Sequence, residues 1–439
     1  MQNEQGSTDS TTRRTFLASS AVGTASALAG CGRIVDSFFD EELSIEPPPF
    51  GPLVTDWPQF GYDAGRTRYA PEVAGPLGEM SVAWETRPRL NGAPAMALHH
   101  DRLVVTGDET LYAYDLAAGE QAWTVGLESG EEEPWRVGSV HPVLDDEHAY
   151  AAAADTTVAA YDRESGETAW TVSLDEPIHP ALAYDDVLYV AGTEGTLVAV
   201  EPATGSERWR RSLGSPRNYR LDRRNAVVVD DGRPIYVRPD GIVALDPGDG
   251  STQWERAFPD VEGPVAARDG TLYAVLRERP EPSEDTDYQW YNLLRAIDTE
   301  SGTDQRRERG RHDTGDWVWP HDVEKREDLD GYGATLAVDE EQVFLMDGGN
   351  LDVVETGTAR STLQRRLSET KPFVVAGRSL FGASNFRGEH TTLLRFQFDE
   401  MATTEHDTRL DGAVTETMVA GEWAFVSTND GYLYGITGN

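Results

Sequence analysis

One motif recurs four times along the chain, as AYDLAAGEQAW (113–123), AYDRESGETAW (160–170), AVEPATGSERW (199–209) and ALDPGDGSTQW (244–254). With Trp84 added, Trp84, Trp123, Trp170, Trp209 and Trp254 are separated by 39, 47, 39 and 45 residues. A unit of this length cannot bury an apolar face alone, so a chain that repeats it must stack its copies. Each copy reads as four short β segments. In HPALAYDDVLYVAGTEGTLVAVEPATGSERW (179–209) β-formers fall at alternate or near-alternate positions, divided by DD, TEG and PATG, which are turn chemistry. Four strands of five or six residues account for a repeat of about 40, the size of one β-propeller blade.

The fixed positions have physical roles in such a unit. Asp115, Asp162 and Asp246, with Glu201 in the third copy, end a strand where a carboxylate accepts backbone N–H groups of the turn. Gly119, Gly166, Gly205 and Gly250 stand where the chain reverses and positive φ is cheap only without a Cβ. Trp84, Trp123, Trp170, Trp209 and Trp254 are expected on outermost strands, filling the wedge between splaying blades. They are structural docking residues and not a cofactor stack.

Counting units predicts an all-β, eight-bladed propeller of four-stranded antiparallel blades. Full copies end near 127, 174, 213 and 258; a fifth, from Pro264, is interrupted by ERPEPSEDTDYQWYN, and Arg306 stands at its Trp position. Weaker copies run over about 336–366 and 372–405, and seven blades is the alternative should these two merge. The eighth, 414–439, has three strands and stops, while SVAWETR (81–87) carries Trp84 with no strands before it. Pairing residues 82–86 antiparallel with 432–436 would close the ring and leave no exposed edge.

The repeated Trp resembles the tryptophan-docking motif of the PQQ-type quinoprotein propellers, and DWPQFGYDAGRTRYAP (56–71) resembles a segment that precedes the first blade in PQQ-like repeat proteins. That segment, with Arg66 and Arg68, is expected to pack on the ring as a plug or strap. The resemblance covers 56–439 and is specific for fold rather than function. Family members that bind the quinone hold it in the central channel, with calcium, a catalytic Asp and adjacent cysteines in a vicinal disulfide. This chain has one cysteine and no haem motif, so no catalytic residue, no cofactor and no metal is expected; PQQ or calcium is a minor alternative. The resemblance also takes in the BamB-type lipoproteins, non-catalytic eight-bladed propellers that present loops to partner proteins.

Charge and the first residues bear on location. Against 77 Asp and Glu stand 38 Lys and Arg, a formal charge of -39, with only Lys325 and Lys371 among the lysines. Such a surface repels phosphate backbones, which excludes nucleic acid as a partner. Acidity with Lys almost absent looks like proteins of halophilic archaea, where salt screens self-repulsion. TTRRTFLASSAVGTASALAGC (11–31) resembles a twin-arginine signal followed by a lipobox, with Cys31 as the lipid acceptor. Three segments follow: a signal peptide over 1–30, an acidic Pro-containing tether over 31–55, and the propeller over 56–439. The expected address is the outer face of the cytoplasmic membrane.

Two constellations are candidates for a ligand-binding face. His141 and His179 each precede Pro at the start of the first strand in successive blades, so repeat geometry makes them neighbours near the axis. They are wet channel residues first, with metal ligation as the alternative. RHDTGDWVWPHDVEKREDLDGYG (311–333) is a long inter-blade insertion bearing His312, Trp317, Trp319 and His321. Long structured loops on a rigid scaffold often bind partners, and these aromatics suit a glycan or peptide unless they cover a blade edge. Asp328, Asp330 and Gly331 give half a calcium loop without the remaining ligands. The expectation is a lipid-anchored monomer binding protein or glycan. The alternatives are a PQQ- or metal-dependent oxidoreductase and a solute sensor using the channel.

Overall fold

Val227–Asp230, Arg233–Arg238, Gly241–Leu245 and Thr252–Ala257 pair antiparallel in chain order. The first three strands are buried nearly throughout, whereas Thr252–Ala257 alternates exposed with half-buried positions. A sheet sandwiched between two neighbours buries both faces, so its inner strands are continuous apolar runs and only the rim strand keeps a period of two. The near-alternation expected from sequence holds only at the rim.

The computed structural model describes residues 56–87, 94–107, 110–116, 120–128, 140–178, 182–216, 226–258, 261, 264–278, 291–303, 335–347, 350–358, 360–367, 370–384, 391–398 and 402–438. All lie in the unit Leu43–Asn439. They form eight sheets arranged as an eight-bladed β-propeller, with no helix among the described residues. In chain order the blades span 95–126, 143–173, 183–212, 227–257, 265–298, 335–366, 370–410 and 414–438. Blade 5 shows three strands among the described residues, and blade 7 gains Tyr69–Ala70 as a parallel fifth. Blades 6 and 7 are separate sheets, so the seven-blade alternative falls.

The ring closes through the chain ends. Met80–Thr86 pairs antiparallel with Leu433–Gly438, in the register Val82↔Ile436, Trp84↔Gly435, Thr86↔Leu433. The C-terminal unit therefore receives its fourth strand from the other end of the chain, as the interval from Trp84 to Trp123 implied. Trp84 is 2% exposed and meets Tyr114 of blade 1 edge-on at 5.9 Å, so the closing strand also seals the joint between blades 8 and 1.

The core lies between blades. One buried cluster joins Val228, Ile235 and Ile242 of blade 4 to Leu272 and Ala274 of blade 5, and another joins Tyr273 and Leu294 of blade 5 to Leu336 and Leu345 of blade 6. At the rim, each of four tryptophans bonds to the next blade. The indole N–H of Trp123, Trp170, Trp209 and Trp254 donates to the carbonyls of Arg163, Pro202, Pro247 and Thr299, at 2.7 to 2.9 Å. Three residues past each carbonyl comes a glycine under the ring; a Cβ on Gly250 would lie 2.6 Å from Trp209. Gly250 has φ +68°, so it serves a turn that favours glycine and also a ring that allows nothing larger. Asp162 accepts from the Ser165 N–H and Asp298 from the Ser301 N–H. Glu201 instead holds Arg208, because its longer carboxylate reaches past the turn.

Candidate functional site

The innermost strands of a propeller are edge strands facing the axis, and their free N–H groups need partners. The segment 57–75 supplies them by running once around the channel. Leu98 of blade 1 donates to the Trp57 carbonyl, Leu144 of blade 2 to Pro58 and Val229 of blade 4 to Ala64. Ala267, Val338 and Val375, of blades 5 to 7, donate to Gly65, Thr67 and Arg68. In blade 3 a side chain stands in: Tyr184 donates to Gln59 Oε1 at 3.0 Å, and Gln59 Nε2 donates back to the Tyr184 carbonyl. Blade 8 reverses the polarity, its Gly421 carbonyl accepting from Gly75. A Cβ on Gly65 would sit 2.1 Å from the Ala267 oxygen, so only glycine permits this approach.

Every one of these bonds lies near the first hairpin turn of its blade. The strap therefore floors one end of the channel. By antiparallel topology the turns between second and third strands, and the entries into each blade, lie at the other end. That face is open among the described residues, and Glu278 and Tyr291 of blade 5 and Thr335 of blade 6 end there.

Polar and charged side chains knit the floor together. Asp63 accepts from the Thr67 N–H at 2.9 Å and the Thr67 hydroxyl at 2.6 Å. Burial pushes its carboxyl above the ordinary carboxylate range, against the lowering pull of Thr67, Arg268 and Arg66. Arg66 donates to the Phe60 carbonyl at 2.5 Å and the Leu182 carbonyl at 2.6 Å. The guanidiniums of Arg66 and Arg68 stand 5.2 and 4.8 Å from the Phe60 ring centroid, within cation–π range. His141 meets the same ring edge-on at 4.8 Å, and its Nδ1 lies 3.4 Å from Glu416 Oε2 of blade 8. Both are buried, at 5% and 2% exposure. Two guanidiniums and an imidazole around an aromatic ring, with a carboxylate beside the imidazole, make a buried polar cup.

Of the residues singled out from sequence, His141 belongs to this cup. His179, His312, Trp317, Trp319 and His321 lie outside the described residues, as do Asp328, Asp330, Gly331, Gly119 and Cys31. The partner found for His141 is Glu416, which sequence reasoning missed. The five docking tryptophans lie on outermost strands, away from the cup.

Residues 79–308 and 226–438 match the family described as outer membrane protein assembly factor BamB. The chain belongs to the BamB family. No curated protein matches it in sequence. Among solved structures, BamB from Moraxella catarrhalis is similar at TM-score 0.56 and 13% identity, covering 82% of this chain and 99% of that one. Sqt1 of Saccharomyces cerevisiae gives 0.59 and 12%, over 83% and 100%. Quinohemoprotein alcohol dehydrogenase ADHIIG from Pseudomonas putida HK5 gives 0.55 and 12%, over 87% and 80%. At such identities the likeness is one of fold alone. Among the described residues the strap floors one end of the channel, and no described segment crosses the other.

Proposed function

We propose that the protein is an exported, lipid-anchored, non-catalytic β-propeller that acts as an extracytoplasmic binding or scaffold protein for protein or glycan partners. The observation that carries this reading is closure of the channel at one end only among the described residues. The strap covers the end of the channel bearing the first hairpin turns, and no described segment covers the opposite end, the kind of face on which scaffolds present loops to partners. BamB-family membership supports a scaffold role. Cys31 after a twin-arginine-like segment supports export and anchoring, and the charge of -39 supports a salt-rich exterior.

A photo-crosslinking residue at exposed Glu194 or Asp430, on the open face, is expected to capture a partner from membranes in high salt. The same residue at exposed Glu147 or Asp186, on the strap side, is expected to capture nothing. Capture confined to the strap side would overturn the assignment of faces. A quinone chromophore in the purified protein would favour an oxidoreductase instead. Cys31→Ser should release the protein into the medium; retention on the membrane would remove the anchor from the proposal.

A further inference from the structure

The strap begins beside two adjacent histidines that no repeat position requires. Trp57 and Leu98 exchange both backbone bonds, N–H to O, at 2.7 and 2.9 Å, which holds Asp56 against the first hairpin turn of blade 1. That turn carries His99 and His100, with rings 4.3 Å apart. Asp56 Oδ2 lies 3.1 Å from His99 Nδ1 and 3.7 Å from His100 Nδ1. The three side chains offer ligand atoms that all fall within 4.8 Å of one another. Asp56 is also fixed through its other oxygen, which accepts the His100 N–H at 2.5 Å.

Two details separate this cluster from an ordinary ion pair. His99 Nδ1 is buried 3.1 Å from the carboxylate, and the contact, although an attractive ion pairing, falls outside the geometry of an aligned hydrogen bond. Nitrogen and oxygen lie side by side and are not aligned donor to acceptor. Bonds of about 2.0–2.1 Å in a tetrahedron set ligand atoms roughly 3.3 Å apart, the spacing at which ligands converge on one ion. Distances of 3.1 and 3.7 Å bracket that value. The second detail is Asp146, from the first hairpin turn of blade 2, whose Oδ1 lies 3.0 Å from His99 Nε2. With Nδ1 given to a cation, the ring proton sits on Nε2 and Asp146 accepts it. A metal-bound imidazole is commonly oriented in this way.

We propose that Asp56, His99 and His100 form a binding site for a divalent transition-metal ion of the zinc class, clasping the start of the strap to blade 1. Two imidazoles and one carboxylate suit zinc, cobalt or nickel, whereas calcium and magnesium require mostly oxygen ligands. Three protein ligands leave a fourth position for solvent, which the 62% exposure of the His100 side chain allows. The site lies on the strap side, away from the face assigned to partners, so the two readings stand or fall separately.

The test is zinc binding to the full chain after dialysis against chelator, followed by calorimetry, with cobalt absorbance reporting the coordination geometry. One equivalent of zinc should bind and raise Tm, as any ligand selective for the native state does. His100→Asn keeps a residue that tolerates the left-handed backbone at φ +52°. It should weaken zinc at least tenfold, as should Asp56→Asn. Asp146→Asn should weaken it about 10- to 100-fold through ring orientation. Unchanged Tm of the metal-free variants would show that they fold. Absence of stoichiometric zinc on the wild-type chain, or equal binding by wild type and a folded His100→Asn variant, would overturn the proposal.

Discussion

In blades 1 to 4 each rim tryptophan docks on the next blade, with its N–H on a carbonyl and its ring on a glycine. In blade 6 the corresponding residue is Leu363. It pairs with Val353 beside the same register shift that follows Ala199↔Trp209 and Ala244↔Trp254. The backbone irregularity is thus kept where the indole is lost. In blade 7 the shift has moved to the other end of the third strand, between Thr391 and Leu393. Other contacts close that region. Phe398 packs on Phe344 of blade 6 at 5.0 Å and on Phe396 at 5.4 Å, and the strap adds Tyr69–Ala70 as a parallel strand to blade 7. The first half of the ring is therefore specified by a local lock repeated blade by blade. Blades 6 and 7 depend instead on packing and on a strap that comes from far away in sequence.

The largest effect that would break this comparison is removal of the strap. Deleting residues 56–87 takes away the partners of seven innermost-strand N–H groups and the fourth strand of blade 8. Unsatisfied buried amides and a free sheet edge both disfavour the fold. The expected outcome is loss of cooperative unfolding by circular dichroism, whereas deletion of residues 32–50 should leave the melt unchanged. A ring that still melts cooperatively without its strap would show that the blades close unaided.

Next in size is the lock itself. Trp209, 7% exposed, should cost about 3–5 kcal/mol on replacement by Ala, as truncation of a buried aromatic does. Leu363→Ala, at a half-buried position, should cost about 1 kcal/mol, below the value for full burial of Leu. Chemical denaturation of both variants measures the difference. Equal losses would mean that the indole contributes no more than a leucine, and the distinction between the two halves would fail.

Glycines sharpen the same point. Gly250 and Gly232 both have positive φ, +68° and +73°. A Cβ on Gly232 meets nothing within 4 Å, while one on Gly250 meets the Trp209 ring. Gly232→Ala should cost about 1–2 kcal/mol, the backbone term for an L-residue in the left-handed region. Gly250→Ala should cost more, because the ring must also move. The gap between the two variants isolates the seat of the tryptophan from the turn.

How much of this was legible in the sequence follows from distance along the chain. The blade count and the closing pair could be read because Trp84 and Trp123 keep the interval of the repeat, and the repeat is local. The role of Gly250 was read only in part, since the sequence shows the turn but not the indole arriving from the preceding blade. Near the axis the signal ran out. Repeat geometry sets His141 beside His179, which lies outside the described residues, whereas Glu416 comes within 3.4 Å of His141 only through ring closure. Asp56 at the start of the strap, His99 at the end of a strand of blade 1 and Asp146 in a turn of blade 2 share no spacing motif, so only the fold assembles them.

The smallest effect concerns Asp63, the carboxylate that fixes the strap's own turn. Its folded-state pKa is raised above the ordinary 3.8 by burial, so the native state holds this proton more tightly than the unfolded chain. Stability then falls as pH rises from the unfolded value through the raised one, and the loss persists above it. Asp63→Asn removes the ionisation. The amide oxygen can still accept the Thr67 N–H, and its NH2 group can donate to the Thr67 hydroxyl. With 77 acidic residues in the chain the total slope has many sources, so the quantity to measure is the difference between variant and wild type at fixed ionic strength. Denaturant unfolding from pH 4 to pH 7 should show the variant gaining on the wild type as pH rises. Parallel curves would mean that Asp63 is solvated well enough to ionise freely, and that the strap is held by its backbone bonds alone.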